Sequence, residues 1–388
     1  MKKFNKMKHP HNRYWPCSVP VLIAVITFGT VLPDTLHARK DAVVEKSSDN
    51  DTDKSETETT EIKDTKSGRK KPEPAETDEK KSEWIDQTLD FGTQEERIKA
   101  IDKIRQVGNV GIKSRLLKKL VELLKDESDP EVLVKSLSLI GESKEQSAVP
   151  LLMEKLDHHS EDVRIAAVYA LKSLNAISSK DKIIQKLKEQ NLENNNNFIV
   201  ALLLTLGEFR AVEIVPYLNE ALGSNKTNSA VKENIILFLG TVQAREARDT
   251  LVKLYKDDDQ ETTIRSYAVN ALARMGLTDI VPDIKEVIKT IESLDLKKRK
   301  KFNTLHLYSV AALAKLGDPE AVPKLINALR SNSPEVRLKA ISLIKDFKDK
   351  RTIDILKYKM KYDQNPKVRA AAKQALVDMG VEKKEEKK

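Results

Sequence analysis

The chain has 388 residues, with 69 Lys or Arg against 60 Asp or Glu for a net charge of +9, and only 5% aromatic residues. Length alone fits two or three globular domains, while the low aromatic content is unusual for a globular enzyme. The single cysteine, Cys17, excludes an internal disulfide framework.

Residues 1–38 read as a secretory signal peptide: a basic start, the apolar run "VPVLIAVITFGTVLP", and "TLHA" ending in a small residue before Arg39. The alternative, an uncleaved anchor, fits less well, because Val21 to Leu32 gives 12 apolar or small residues where about 20 are needed to span a bilayer. Cys17 precedes the apolar run and is misplaced for lipidation. Cleavage after Ala38 leaves a mature chain with no thiol for nucleophilic or metal chemistry and no transmembrane segment. The expected location is periplasmic or secreted. Residues 39–82 are dominated by charge and lack aromatic residues, so they are expected to form a disordered charged linker.

Folded structure is expected from 83 to 381, followed by a charged tail at 382–388. Trp84, Ile85, Leu89 and Phe91 suit a capping helix, and Thr93 with Glu96 forms a T-x-x-E capping box. Beyond them one frame recurs, as in "PEVLVKSLSLIG", "EDVRIAAVYALKSLN", "TIRSYAVNALARMG" and "KVRAAAKQALVDMG". Its marker residue falls at 96, 132, 163, 198, 231, 264, 305, 336 and 368, about 34 residues apart, which is the signature of a stacked repeat array. Each period holds a second amphipathic helix, with Pro150, Pro216, Pro282 or Pro323 near its start, where proline's missing N–H costs nothing. Turns rich in Asp, Asn, Ser and Pro separate the helices, and no run alternates as a strand should. The fold class is therefore all-α. The helix at Glu161–Asn175 is apolar on almost every side because it is sandwiched between its own partner helix and two neighbouring repeats.

The V-R-x-x-A-x-x-A-L and A-V-P-x-L patterns resemble HEAT repeats, most nearly those of phycobilisome-lyase-like proteins. The resemblance implies a right-handed α-α superhelix of eight to nine helical hairpins. It also implies a structural ladder of Arg97, Arg164, Arg265, Arg337 and Arg369 against acidic turn residues, with Lys232 a partial match and gaps at Leu133, Ile199 and His306.

Catalytic constellations are missing: there is no G-x-S-x-G, G-x-x-x-x-G-K-[ST], G-x-G-x-x-G or H-E-x-x-H. The pair His158–His159 sits in a turn, where adjacent rings diverge, and reads as solvated rather than as a metal site. No catalytic, cofactor or metal residue is expected. The second helices of such arrays line the inner side, and a 100° advance from Val163 places Ile165 and Tyr169 away from the core. The equivalent columns hold Val134, Val200, Leu204, Leu237, Leu307 and Leu338, interrupted by Glu233 and Ser266. An exposed apolar column marks an interaction site; strong curvature would instead bury it between repeats. A basic run, Lys297, Lys298, Arg299, Lys300 and Lys301, falls in the one enlarged interval and suits an anion or a solvated loop. The resulting expectation is an exported, non-enzymatic scaffold that binds a protein segment on its inner face, and not nucleic acid. The alternatives are a lyase-like enzyme or cofactor-attachment factor, and a binder of an anionic envelope surface.

Overall fold

The computed structural model of the chain describes residues 77–345 and 349–382. The expected signal peptide, most of the charged linker and nearly all of the tail lie outside the described residues. Among the described residues there is no strand, and the helices pair into nine hairpins. They are α1 (Asp78–Phe91) with α2 (Gln94–Ile104), α3 (Val110–Asp126) with α4 (Pro130–Ser143), and α5 (Val149–Glu154) with α6 (Glu161–Ser173). Next come α7 (Lys180–Lys188) with α8 (Asn197–Glu208), α9 (Val215–Gly223) with α10 (Ser229–Val242), and α11 (Arg248–Lys256) with α12 (Thr262–Arg274). The enlarged repeat holds α13 (Val281–Ser293), the short α14 (Leu296–Arg299) and α15 (Asn303–Lys315). The last two pairs are α16 (Ala321–Ala328) with α17 (Pro334–Ile344), and α18 (Ile353–Tyr362) with α19 (Pro366–Asp378).

Folded structure starts earlier than residue 83. Thr77 caps α1 by accepting the Lys80 amide, and Asp78 and Glu79 sit in the first turn, where the helix dipole favours acids. Asp78 Oδ2 also accepts the Asn109 amide at 2.6 Å, which ties this end to the next hairpin. The charges that read as linker are thus the first turn of a helix. The capping box of α2 forms as expected, with Thr93 and Glu96 each bonding the other's backbone. Asp129, Asn196, Asn228, Ser333 and Asn365 cap α4, α8, α10, α17 and α19 by accepting first-turn amides with their side-chain oxygens, without the reciprocal bond.

Inner helices end on a shared geometry. Twelve residues after seven of the markers the backbone turns left-handed, at Lys144, Asn175, Arg210, Gln243, Gly276, Gly317 and Gly380. This conformation satisfies the last carbonyls of the helix and turns the chain into the next repeat. Only the last three positions use glycine, the residue that adopts it without steric cost.

The core runs along the array between the two helix layers. Val163, Ala167, Val168, Ala170 and Leu171 of α6 are buried, on several sides of one helix. Leu202 and Leu206 of α8 are fully covered; each such side chain stabilises the fold by about 1.5–3 kcal/mol. Successive inner helices, α2, α4, α6, α8, α10, α12, α15, α17 and α19, pack directly on one another, whereas outer helices touch their neighbours far less. This asymmetry marks the second helix of each pair as the inner one. Small residues set the approach: a Cβ on Gly141 would lie 2.9 Å from Ala170 Cα, and one on Gly240 3.1 Å from Ala271 Cα.

The arginines are structural. Arg97 pairs with Glu127, Arg265 with Asp258 at 2.6 Å, and Arg337 with Asp363 at 2.7 Å. Arg164 and Arg369 instead clamp carbonyls of the turn before their own helix, those of His158 and His159 and of Asp363 and Gln364. Arg337 does both, reaching the Ser331 and Asn332 carbonyls as well. At the partial match, Lys232 is buried, and desolvation holds its ammonium pKa down.

Candidate functional site

The inner helices present their third residue from the marker and its companion one turn on to the inner face. Val134, Ile165, Tyr169, Val200, Leu204 and Leu237 are all half-buried there, neither sealed in the core nor fully open. Such positions leave part of their apolar surface open to solvent while the rest is held by packing. Tyr169 is braced by Lys172, whose ammonium stands 5.6 Å from the ring centroid, and desolvation raises the Tyr169 pKa. Leu338 on α17 is also half-buried. Leu307 is not available: at 8% exposure it belongs to the core, because α12 and α15 pack tightly along their length and close over it.

Beyond Leu237 the wall becomes polar and aromatic. Tyr267, Tyr308 and Lys339 each lie three residues after a marker, on α12, α15 and α17, and join Glu233 of α10. The tyrosine rings meet edge to face with centroids 6.0 Å apart, a favoured arrangement of aromatic quadrupoles. Lys339 Nζ stands 5.2 Å from the Tyr308 centroid, within cation–π range. Burial lifts the Glu233 carboxyl above its ordinary pKa and pushes the Lys339 ammonium below its own. Burial, with the Glu233 charge beside it, takes the Tyr267 hydroxyl to about 12. The columns two and six residues after the marker contain Glu233 only as an interruption of the apolar series and do not include the other three. The signal was Tyr, Tyr, Lys recurring one position later in consecutive repeats.

The basic run stands apart from this wall. Lys297, Lys298 and Arg299 lie on α14, and Lys300 and Lys301 in the turn that follows; Asp295 caps the short helix and pairs with Lys298 at 3.5 Å. The four lysines are exposed, and no second element converges on them to shape an anion site among the described residues. In the turn before α6 the His158 and His159 rings do not diverge as expected but lie tilted with centroids 4.1 Å apart, and His158 Nδ1 accepts the Ser160 amide at 3.1 Å. His306 Nε2 lies 3.0 Å from Glu292. Among the described residues no cluster of His, Cys, Asp or Glu is placed to hold a metal ion, and no helix is long and apolar enough to cross a membrane.

A family model described as HEAT repeats matches residues 117–201, 181–273 and 296–377. No curated protein matches the chain. Among solved structures, the complex of CpcE and CpcF of phycocyanin lyase from Nostoc sp. PCC7120 is 17% identical, covering 73% of this chain and 99% of that one at a TM-score of 0.37. Kap121p bound to Nup53p is 13% identical, covering 77% of this chain and 37% of that one at a TM-score of 0.44. These likenesses concern the helical fold alone.

Proposed function

The chain belongs to the HEAT-repeat family, and from that premise we propose that it is an exported, non-enzymatic scaffold that binds a protein segment on its inner wall. The observation that carries this reading is the half-buried aliphatic column Val134, Ile165, Tyr169, Val200, Leu204 and Leu237, continuous over four successive inner helices. Such a surface gains from covering apolar area. Apart from the Tyr169 hydroxyl, whose pKa burial raises, its side chains offer nothing to give or take a proton, so the chemistry of the wall is burial. An amphipathic segment laid into the groove satisfies it. Export is supported by the basic, apolar and small-residue succession of residues 1–38.

A photo-crosslinking residue at position 237 tests the site, with one at the exposed turn position 159 as control. A defined protein adduct at 237 and none at 159 is expected; equal labelling at both would overturn the inner-wall assignment. N-terminal sequencing of the protein recovered from outside the cytoplasm tests export. A mature start at Arg39 is expected, and an intact Met1 in a cytoplasmic fraction would refute it.

A further inference from the structure

The inner wall has two chemically different halves, and the second contains an unclosed pair of charges. Glu233 and Lys339 are half-buried, while Tyr267 and Tyr308, at 8% and 4% exposure, form the floor between them. Two inner helices, α12 and α15, intervene in the chain, yet each charged group feels the other's charge. They stop short of an ion pair: no Glu233–Lys339 contact within 4.0 Å forms. Thr263 and Glu261 are among the groups near Glu233, and Lys339 rests over Tyr308. Two opposite charges have thus been drawn partly out of water without the contact that would compensate them. Partly desolvated charges gain when a ligand supplies the missing partners, and charge placement across an interface mainly sets specificity and register.

We infer that this half of the wall selects and orients the bound segment by charge: the segment presents a basic side chain to Glu233 and an acidic one to Lys339, while its apolar stretch lies on Val134 to Leu237. The inference rests on the reading of the wall as a binding surface and adds the chemistry of the partner. The aliphatic half supplies contact area in either direction of travel. The Glu233–Lys339 half distinguishes the two directions, because reversing the segment takes its charged residues off Glu233 and Lys339 and lays them on the aliphatic half.

A displayed library of random peptides selected on the protein tests both levels. Selected peptides are checked for loss of binding to the Leu204→Asp variant, which defines those seated on the wall. These are expected to carry an acidic and a basic residue beside an apolar stretch. They should lose roughly tenfold in affinity on Glu233→Gln or Lys339→Gln. Peptides with the two charges exchanged should bind the double variant Glu233→Lys, Lys339→Glu better than the native protein. Thermal melting of each variant shows that it is folded; if the double variant melts early, the two Gln variants decide. Wall-seated peptides without charge preference, and unaffected by either Gln variant, would overturn the inference while leaving the scaffold reading intact. Failure to select any peptide that depends on Leu204 would overturn both.

Discussion

At Lys144, Asn175, Arg210 and Gln243 a residue with a side chain stands in left-handed backbone that Gly276, Gly317 and Gly380 adopt at the same place in later repeats. The strain costs on the order of 1 kcal/mol per site. Arg210→Gly, at φ 50° and exposed, should therefore stabilise the protein by about 0.5–1 kcal/mol. Gly317→Ala, at φ 94°, should destabilise it by about 1 kcal/mol or more. Denaturant midpoints of the two variants give the signs. Asp363 carries a second consequence. Burial opposes its ionisation, but hydrogen bonds from Arg337, the Asn365 amide and Lys359 outweigh burial and hold its pKa at about 2 against an ordinary 3.8. A carboxyl depressed on folding stabilises the fold fully above its unfolded pKa, and that contribution, roughly 2 kcal/mol here, is lost as pH falls from about 4 toward 2. Native protein should lose stability across this window, and Asp363→Asn should flatten the acid limb of a stability-against-pH curve. An unchanged limb would refute the assignment.

At the scale of the element, the inner helices depend on how closely neighbours approach. Gly141 and Gly207 occupy the same place in their repeats, nine residues after the marker, but face different partners. A Cβ at Gly141 meets Ala170 backbone at 2.9 Å, whereas one at Gly207 meets Phe238 and Thr241 side chains at 3.7 Å. Alanine in a helix is worth about 1 kcal/mol over glycine, and overpacking costs about 1–3 kcal/mol. Gly207→Ala should accordingly raise the melting temperature, and Gly141→Ala should lower it. The opposite order would mean that backbone propensity, not helix approach, governs these positions. The local signals were legible in sequence: the Thr93–Glu96 box, the proline starts and the Asp and Asn caps each act within one turn. The start of α1 was obscured, because Asp78, Glu79, Lys80 and Lys81 have the composition of a linker while Thr77 and the packing of Ile85 and Leu89 make them helical.

For the whole array, stability comes from nearest-neighbour stacking, while the proposed binding wall draws on residues from several repeats. Leu204 and Leu237 are half-buried, so on the proposed reading their replacement perturbs partner contact more than the core. Leu204→Asp and Leu237→Asp should each leave the melting transition within about 1–2 kcal/mol of native, as for partly exposed positions, and abolish labelling from the wall. Leu307→Asp places a charge in the core and should cost more than either. Similar melting for all three variants would show that the wall is no more accessible than the core.

The sequence by itself determined the repeat period, the pairing of helices, the caps and the arginine positions, because each depends on residues within one or two turns or on a fixed periodicity. Its columns also placed Val134, Ile165, Tyr169, Val200, Leu204 and Leu237 on one face. Only the tertiary structure decided which column members stay accessible and which, like Leu307, are closed over. It alone showed that Glu233 and Lys339 come within electrostatic reach of each other across α12 and α15. Both outcomes follow from the sum of many small approaches between neighbouring inner helices, such as Gly141 to Ala170 and Gly240 to Ala271. No single repeat encodes that sum.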